Sequence, residues 1–330
     1  QGGALAGIAV RTYLLETTRA VTQGEGERGF HVFHELLAGG RAQALKAASA
    51  STPTGGFSMT PAMPNTPRTV QRRFLDEALA REEAEDGGTA GGADVGTAGD
   101  EAPDMIDLLG FNLLVELRLD PMPPTRFLTA AAQSVPTERD DANRFQVLLC
   151  ALEAADIHAT DARELFRATA ACLHLGAIGF VLHEERRGGS EGTTHVPDDG
   201  VSKQALEASA DLLGVDAAAL LRALTCKQVK AGNEWIEKSN PPHVCLELCE
   251  ALAKAVYAKV FAWLQVQLSA ALAARSPDMR AAGIDGVDKL TQLAPLSIGL
   301  LDIFGFEIFE LNSLEQLCIN FANEKLQGLF

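Results

Sequence analysis

A mostly helical α/β fold is predicted by three features of the sequence. Apolar residues recur at helical spacing over much of the chain, as Phe145, Leu148, Leu149 and Leu152 do within Asn143–Leu152. Two β-compatible runs, Ile8–Val21 and Leu296–Leu301, read as strands. The ordered pattern is broken over 39–107, where Ala, Gly, Thr and Pro dominate. With 330 residues, the chain can bury a substantial core as one large or two ordinary domains.

The first run carries Ile8, Val10, Tyr13, Leu14, Leu15 and Val21. Glu27–Leu37 follows as a helix with Phe30, Phe33, Leu36 and Leu37 on one face. His31 and His34 share a side of that helix, but no third ligand completes a metal set, which favours packing or surface roles. Residues 39–107 read as a disordered surface insertion, because Gly87-Gly88-Thr89-Ala90-Gly91-Gly92 can bury almost nothing. A short helix at Arg72–Glu85 is expected within it. Order returns with Asn143–Leu152 and Glu164–Phe180. After a Gly/Asp-rich loop at Gly188–Gly200 come the helices Ser202–Leu213 and Ala217–Leu224. Cys245–Ala273 is a long apolar helix, interrupted by Lys254, Lys259, Gln265 and Gln267, so it does not read as a membrane span.

The formal net charge of −16 argues against nucleic-acid binding, which needs a basic footprint, and against insertion into anionic membranes. The acidic residues are partly concentrated in Asp76–Asp107. Six cysteines lie without metal-ligand spacing, and Cys245 and Cys249, four apart on a helix, read as small core residues. Reduced thiols suit a cytosolic protein. The chain opens on Gln1 without a methionine and its helical pattern runs to Phe330, so it reads as a piece of a longer polypeptide.

The chemistry is concentrated at the C-terminal end. The Leu296–Leu301 strand stops at Asp302, a carboxylate able to hold a magnesium-bound water. Gly305 follows, where no Cβ blocks the backbone N–H from a phosphate. Two overlapping capping boxes come next, Asn312 with Glu315 or Ser313 with Gln316. Leu314, Leu317, Cys318, Phe321 and Leu329 then continue at helical spacing. Physics alone leaves two readings open, a phosphate sensor joined to a helix and an ordinary strand-to-helix turn with an exposed Asp.

The wording of this segment separates them. Leu301-Asp302-Ile303-Phe304-Gly305-Phe306-Glu307-Ile308-Phe309-Glu310, with Asn312-Ser313-Leu314-Glu315-Gln316-Leu317-Cys318-Ile319-Asn320 and Ala322-Asn323-Glu324-Lys325-Leu326-Gln327, closely resembles switch II and the relay helix of the myosin motor domain. Tyr13–Arg19 and Gly26–Leu37 resemble the stretch after switch I, with a local departure at Gly29. Leu173-His174-Leu175-Gly176 resembles a core helix end of the family, which makes His174 a packed structural histidine. Ala251-Leu252-Ala253-Lys254-Ala255-Val256-Tyr257 resembles a helix of the upper actin-binding cleft. The 39–107 segment is longer than the family's usual connection. The resemblance thus covers most of the chain, as the middle of a motor domain, with 296–330 as switch II and the start of the relay helix.

The resemblance implies a partial P-loop NTPase fold, with helices of the upper actin-cleft subdomain packed beside a few central-sheet strands. It implies ATP with Mg2+ as cofactor, reached by Asp302 through water and by the backbone N–H of Gly305. Glu307 resembles the carboxylate that pairs with a switch I arginine and closes the site. Asn312, Ser313 and Phe321 would couple the site to the helix. Thr225–Lys238 resembles an actin-contacting loop, in which Lys227 and Lys230 beside Trp235 suit an interface. Glu234, sixteen residues before Glu250, matches the position of a fixed acid or phosphorylatable hydroxyl. Partners would be actin filaments, plus light chains or calmodulin on a neck outside this chain, in the cytoplasm and cytoskeleton. The intact parent would be an actin-activated ATPase motor. No Gly-x-x-x-x-Gly-Lys-Ser/Thr loop and no arginine-bearing switch I occur here, so the chain by itself is expected to be inactive. The competing reading is a non-catalytic actin-binding or scaffolding protein that kept the motor core and lost nucleotide turnover.

Overall fold

The computed structural model describes residues 10–12, 15–24, 28–50, 109–122, 124–128, 138–183, 192–275, 298–303, 305–310 and 312–329. The chain divides into two compact units, Thr17–Gln267 and a second made of Gln1–Glu16 with Leu268–Phe330. The described elements are mostly helical with small sheets, as expected for the class.

The larger unit begins with a 3-10 turn at Thr17–Ala20 where a strand is predicted. The described part of Ile8–Val21 is therefore not a strand. Apolar β-branched and aromatic residues set a preference for burial, but a strand also needs a place in a sheet, and neither described sheet includes this run. Helix α1 (His31–Ala50) continues well past the predicted end at Leu37, through Gly39 and Gly40. The first part of the expected 39–107 insertion is thus helical, while 51–107, including the helix expected at Arg72–Glu85, lies outside the described residues. The two glycines permit close packing. A Cβ on Gly39 would stand 2.2 Å from Phe145 Cδ1, and one on Gly40 would stand 2.6 Å from Leu114 Cδ2. Tertiary packing here overrides the helix-breaking tendency of glycine.

The short turn α2 (Leu113–Glu116) is capped by Asn112, whose side chain accepts from the Val115 N–H. Helix α3 (Glu138–Ala154) packs on α1, and the bidentate Arg28–Asp141 pair, at 3.1 and 2.7 Å, ties residue 28 to it. Helix α4 (Ala159–Leu175) is buried continuously from Thr169 to Leu175. It ends at Leu175 rather than reaching Phe180, because the chain turns at Gly176. There a Cβ would stand 2.2 Å from Thr125 Oγ1. Phe33, Phe127, Phe145 and Phe166 are fully buried, and the Phe145 and Phe166 rings meet at 5.3 Å. His174 is buried with Nε2 3.1 Å from the Leu117 carbonyl, a packed histidine held by the backbone.

Strands β1 (Val181–His183) and β2 (Thr193–His195) pair antiparallel, β2 within the predicted Gly188–Gly200 loop and β1 just before it. Helices α5 (Val201–Leu213) and α6 (Ala217–Thr225) fall where predicted; α5 ends at left-handed Gly214, and Asp216 caps α6. A second hairpin, β3 (Cys226–Ala231) with β4 (Glu234–Ser239), follows directly. Helix α7 (Pro242–Arg275) then buries Cys245 and Cys249, as expected for small core residues. Tyr257 of α7 stacks on Phe30 at 4.4 Å. Among the described residues no helix is long and apolar enough to cross a membrane.

The second unit contains helix α8 (Leu314–Gln327) and the segment before it. The predicted Leu296–Leu301 strand is corrected here: the described residues 298–301 belong to no strand, with Ile298 at 94% and Leu300 at 97% exposure. A buried parallel strand needs partners on both edges and cover on both faces, and no described residue supplies them. The two sheets observed are separate antiparallel hairpins, so the predicted central-sheet strands are not among the described elements.

Candidate functional site

The segment 305–310 is fastened to the helix that follows it. Ser313 caps α8: its hydroxyl accepts from the Glu315 N–H at 3.2 Å, and the Gln316 side chain accepts from the Ser313 N–H at 2.9 Å. Of the two capping boxes the sequence offers, the chain uses Ser313 with Gln316. Asn312 takes another job, accepting from the Phe309 N–H at 3.1 Å and donating to the Phe309 carbonyl at 2.8 Å. This closes the turn between the segment and the helix.

Asn320, one turn further along α8, was not singled out from the sequence. Its side chain clamps both backbone groups of Glu307, accepting from the N–H at 2.8 Å and donating to the carbonyl at 2.7 Å. Gln316 donates to the Glu307 carboxylate at 3.4 Å and to Glu16 at 3.5 Å. Glu307 is therefore half-buried and fastened, by backbone and side chain, to the helix that follows it. An Asn one turn beyond a capping box is the only sequence signal that could have pointed to the clamp.

Asp302 and Gly305 are exposed, and Phe304 lies outside the described residues. A Cβ built on Gly305 would meet nothing within 4 Å, so the backbone there stands in open space. Among the described residues no three His, Cys, Asp or Glu side chains converge. A lone exposed carboxylate fits a Mg2+ ion reached through water, since that ion keeps several waters and takes few protein carboxylates. Open glycine backbone fits the close approach of a phosphate.

Phe321 is 61% exposed with Lys325 Nζ 5.4 Å from its ring centre. Leu314, Leu317 and Cys318 share that exposure, while Gln316 and Ile319 form the buried side. The apolar face read from the sequence is thus not the face this unit buries.

The β3–β4 hairpin presents all four predicted contact residues, Lys227, Lys230, Glu234 and Trp235, to solvent, with Trp235 at 67% exposure. It does not gather them on one face. Lys230 pairs directly with Trp235, whereas Ala231 pairs with Glu234 across the Gly232–Asn233 turn. Lys227 and Glu234 therefore share one face, and Lys230 and Trp235 share the other. Gly232 has φ +66° and Asn233 does not have positive φ, the pattern of a II′ hairpin turn. Arg222 of α6 grips the hairpin through Glu237, donating from Nε at 2.8 Å. That hydrogen bond is the main reason the Glu237 carboxyl is held below the usual range.

Comparison with known proteins is consistent along the whole chain. The family model described as myosin head (motor domain) matches residues 108–330, well over half of the sequence. Unconventional myosin IC of Drosophila melanogaster is 30% identical over 328 residues, 99% of this chain and 23% of that protein. The non-muscle myosin-2 heavy chain of Acanthamoeba castellanii is 28% identical over 329 residues, 16% of its length, and mouse Myosin-14 is 29% identical over 328 residues, 12% of its length. The chain thus spans less than a quarter of each of these relatives. The wording of the sequence and the family match agree: this chain belongs to the myosin head (motor domain) family.

Proposed function

We propose that this chain is the switch II and upper-cleft part of an actin-based motor, whose intact form couples ATP binding and hydrolysis to movement along actin filaments. The observation that carries the reading is the Asn320 clamp on Glu307, which joins a phosphate-sensing segment to a capped helix through two backbone hydrogen bonds. Mg2+·ATP, when bound, supplies the phosphoryl group and the charge that the site must position. Asp302 would hold a water toward the metal, and the Gly305 N–H would be the donor to a phosphate. Glu307 would pair with an arginine of switch I and help to position the water that attacks. Any shift of Glu307 then reaches α8 directly. Ser313 and Asn312 keep the turn rigid, and the exposed Phe321 offers that movement to a neighbouring element.

Lys227, Lys230, Glu234 and Trp235 meet actin from the two faces of the hairpin. Light chains or calmodulin bind a neck elsewhere in the parent, which works in the cytoplasm on the cytoskeleton, without nucleic acid and without entering the membrane. The test is Glu307→Ala in a longer protein that includes this segment. Rapid-quench kinetics should show ATP still bound but its hydrolysis burst suppressed, because phosphate contacts lie largely elsewhere while closure needs this carboxylate. An unchanged burst would overturn the assignment. A parent with neither binding nor burst would instead support the scaffolding alternative.

A further inference from the structure

We propose that His183 and His195 form a binding site for a divalent transition-metal ion of the Zn2+, Ni2+ and Cu2+ class, on the exposed face of the β1–β2 hairpin. The register pairs His183 with Thr193 and His195 with Val181, so the two histidines are diagonal neighbours on one face. Both are exposed. Their ring centres lie 5.8 Å apart with the planes at 72°. Two imidazoles bound to one tetrahedral ion, each nitrogen about 2.0–2.1 Å from it, place their ring centres roughly 5 Å apart. The observed separation is within about 1 Å of that value.

The strands hold this geometry. Thr194, between the register positions of the two rings, is buried, and its N–H donates to Ser239 Oγ at 3.0 Å, which fastens β2 to the end of β4. Imidazole selects the ion class: it suits Zn2+, Ni2+ and Cu2+, whereas Mg2+ and Ca2+ take oxygen ligands. Among the described residues no third His, Cys, Asp or Glu converges on the pair. A bound ion would bridge β1 and β2 and fix the hairpin closed. This site shares no residue with the segment around Asp302, so it stands independently of the motor reading.

The test uses the 330-residue chain. Calorimetric titration with Zn2+ should reveal a site weakened at least about tenfold by either His183→Ala or His195→Ala, the lower bound of what even outer-shell changes cost at metal sites. Thr193→Ala, on the same face, should bind as wild type. Electron paramagnetic resonance of bound Cu2+ should show two imidazole nitrogens in the wild type and at most one in each variant, a count that does not depend on affinity. The other histidines, including His31 and His34, remain in every variant as an internal control. Unchanged Zn2+ affinity in either variant, or a Cu2+ spectrum unaltered by both substitutions, would overturn the proposal. So would displacement of Zn2+ by equimolar Mg2+.

Discussion

His34 shows how one half-buried side chain makes the fold sensitive to acid. Its Nε2 is buried with no partner among the described residues, and burial, reinforced by the nearby Arg28 charge, lowers its pKa to about 4. Asp141, paired with Arg28, pulls the other way, and His31 on the same helix is also held below its usual value, chiefly by burial. In the unfolded chain the ring titrates near 6.5, so above that pH both states are neutral and no penalty exists. As pH falls from about 6.5 to about 4, the unfolded chain takes up a proton that the fold refuses. Stability is lost across that window, and the loss is complete below it. Melting of the wild type and His34→Gln at pH 7.5 and 5.0 should show the larger fall in Tm for the wild type. Equal falls would assign the acid sensitivity to other groups.

At the scale of elements, α8 and the segment before it behave as one device because Asn320 bonds both backbone groups of Glu307. A neutral hydrogen bond contributes about 1 kcal/mol net, which corresponds to roughly a fivefold change in a local opening equilibrium. Asn320→Ala should therefore speed amide exchange at Glu307 about fivefold or more, leaving the amides of α4 unchanged. Asn320→Asp should fall between, since it keeps the acceptor for the N–H but loses the donor to the carbonyl. Hydrogen-exchange mass spectrometry of the chain resolves these outcomes. Protection at Glu307 that survives Asn320→Ala would show that the clamp does not set the position of this residue.

For the whole molecule, the formal charge of −16 makes long-range association sensitive to salt, so the role proposed for the hairpin is tested against ionic strength. In the proposed motor, Glu234 stands beside the turn on the same face as Lys227, an always-present carboxylate that waits for no kinase. Glu234→Ala in a longer active protein should lower actin activation severalfold at low salt, with basal ATPase near normal and Glu234→Asp tolerated. The difference should shrink as salt rises, because exposed charges are screened within about 10 Å at 0.1 M ionic strength. Actin-activated ATPase at two ionic strengths measures this. An alanine variant equal to wild type at low salt would remove Glu234 from the interface.

Local patterning made the helices legible: the spacing over Asn143–Leu152, the Ser202–Leu213 and Ala217–Leu224 pair, and the Ser313–Gln316 box all concern residues within a turn or two of each other. The family was legible too, because the run from Leu301 to Gln327 is specific in its wording. Packing alone decided that Gly39 and Gly40 sit inside α1 against Phe145 and Leu114, where glycine by itself suggests a break. It also decided that β1 and β2 pair across a segment that reads as loop, and that Asn320 reaches back to Glu307. The division of Lys227 and Glu234 from Lys230 and Trp235 follows from strand register, where a shift of one residue exchanges the faces. Periodicity and capping act over a few residues and are written in the sequence, whereas partner and register are chosen by contacts between distant segments, which only the folded chain brings together.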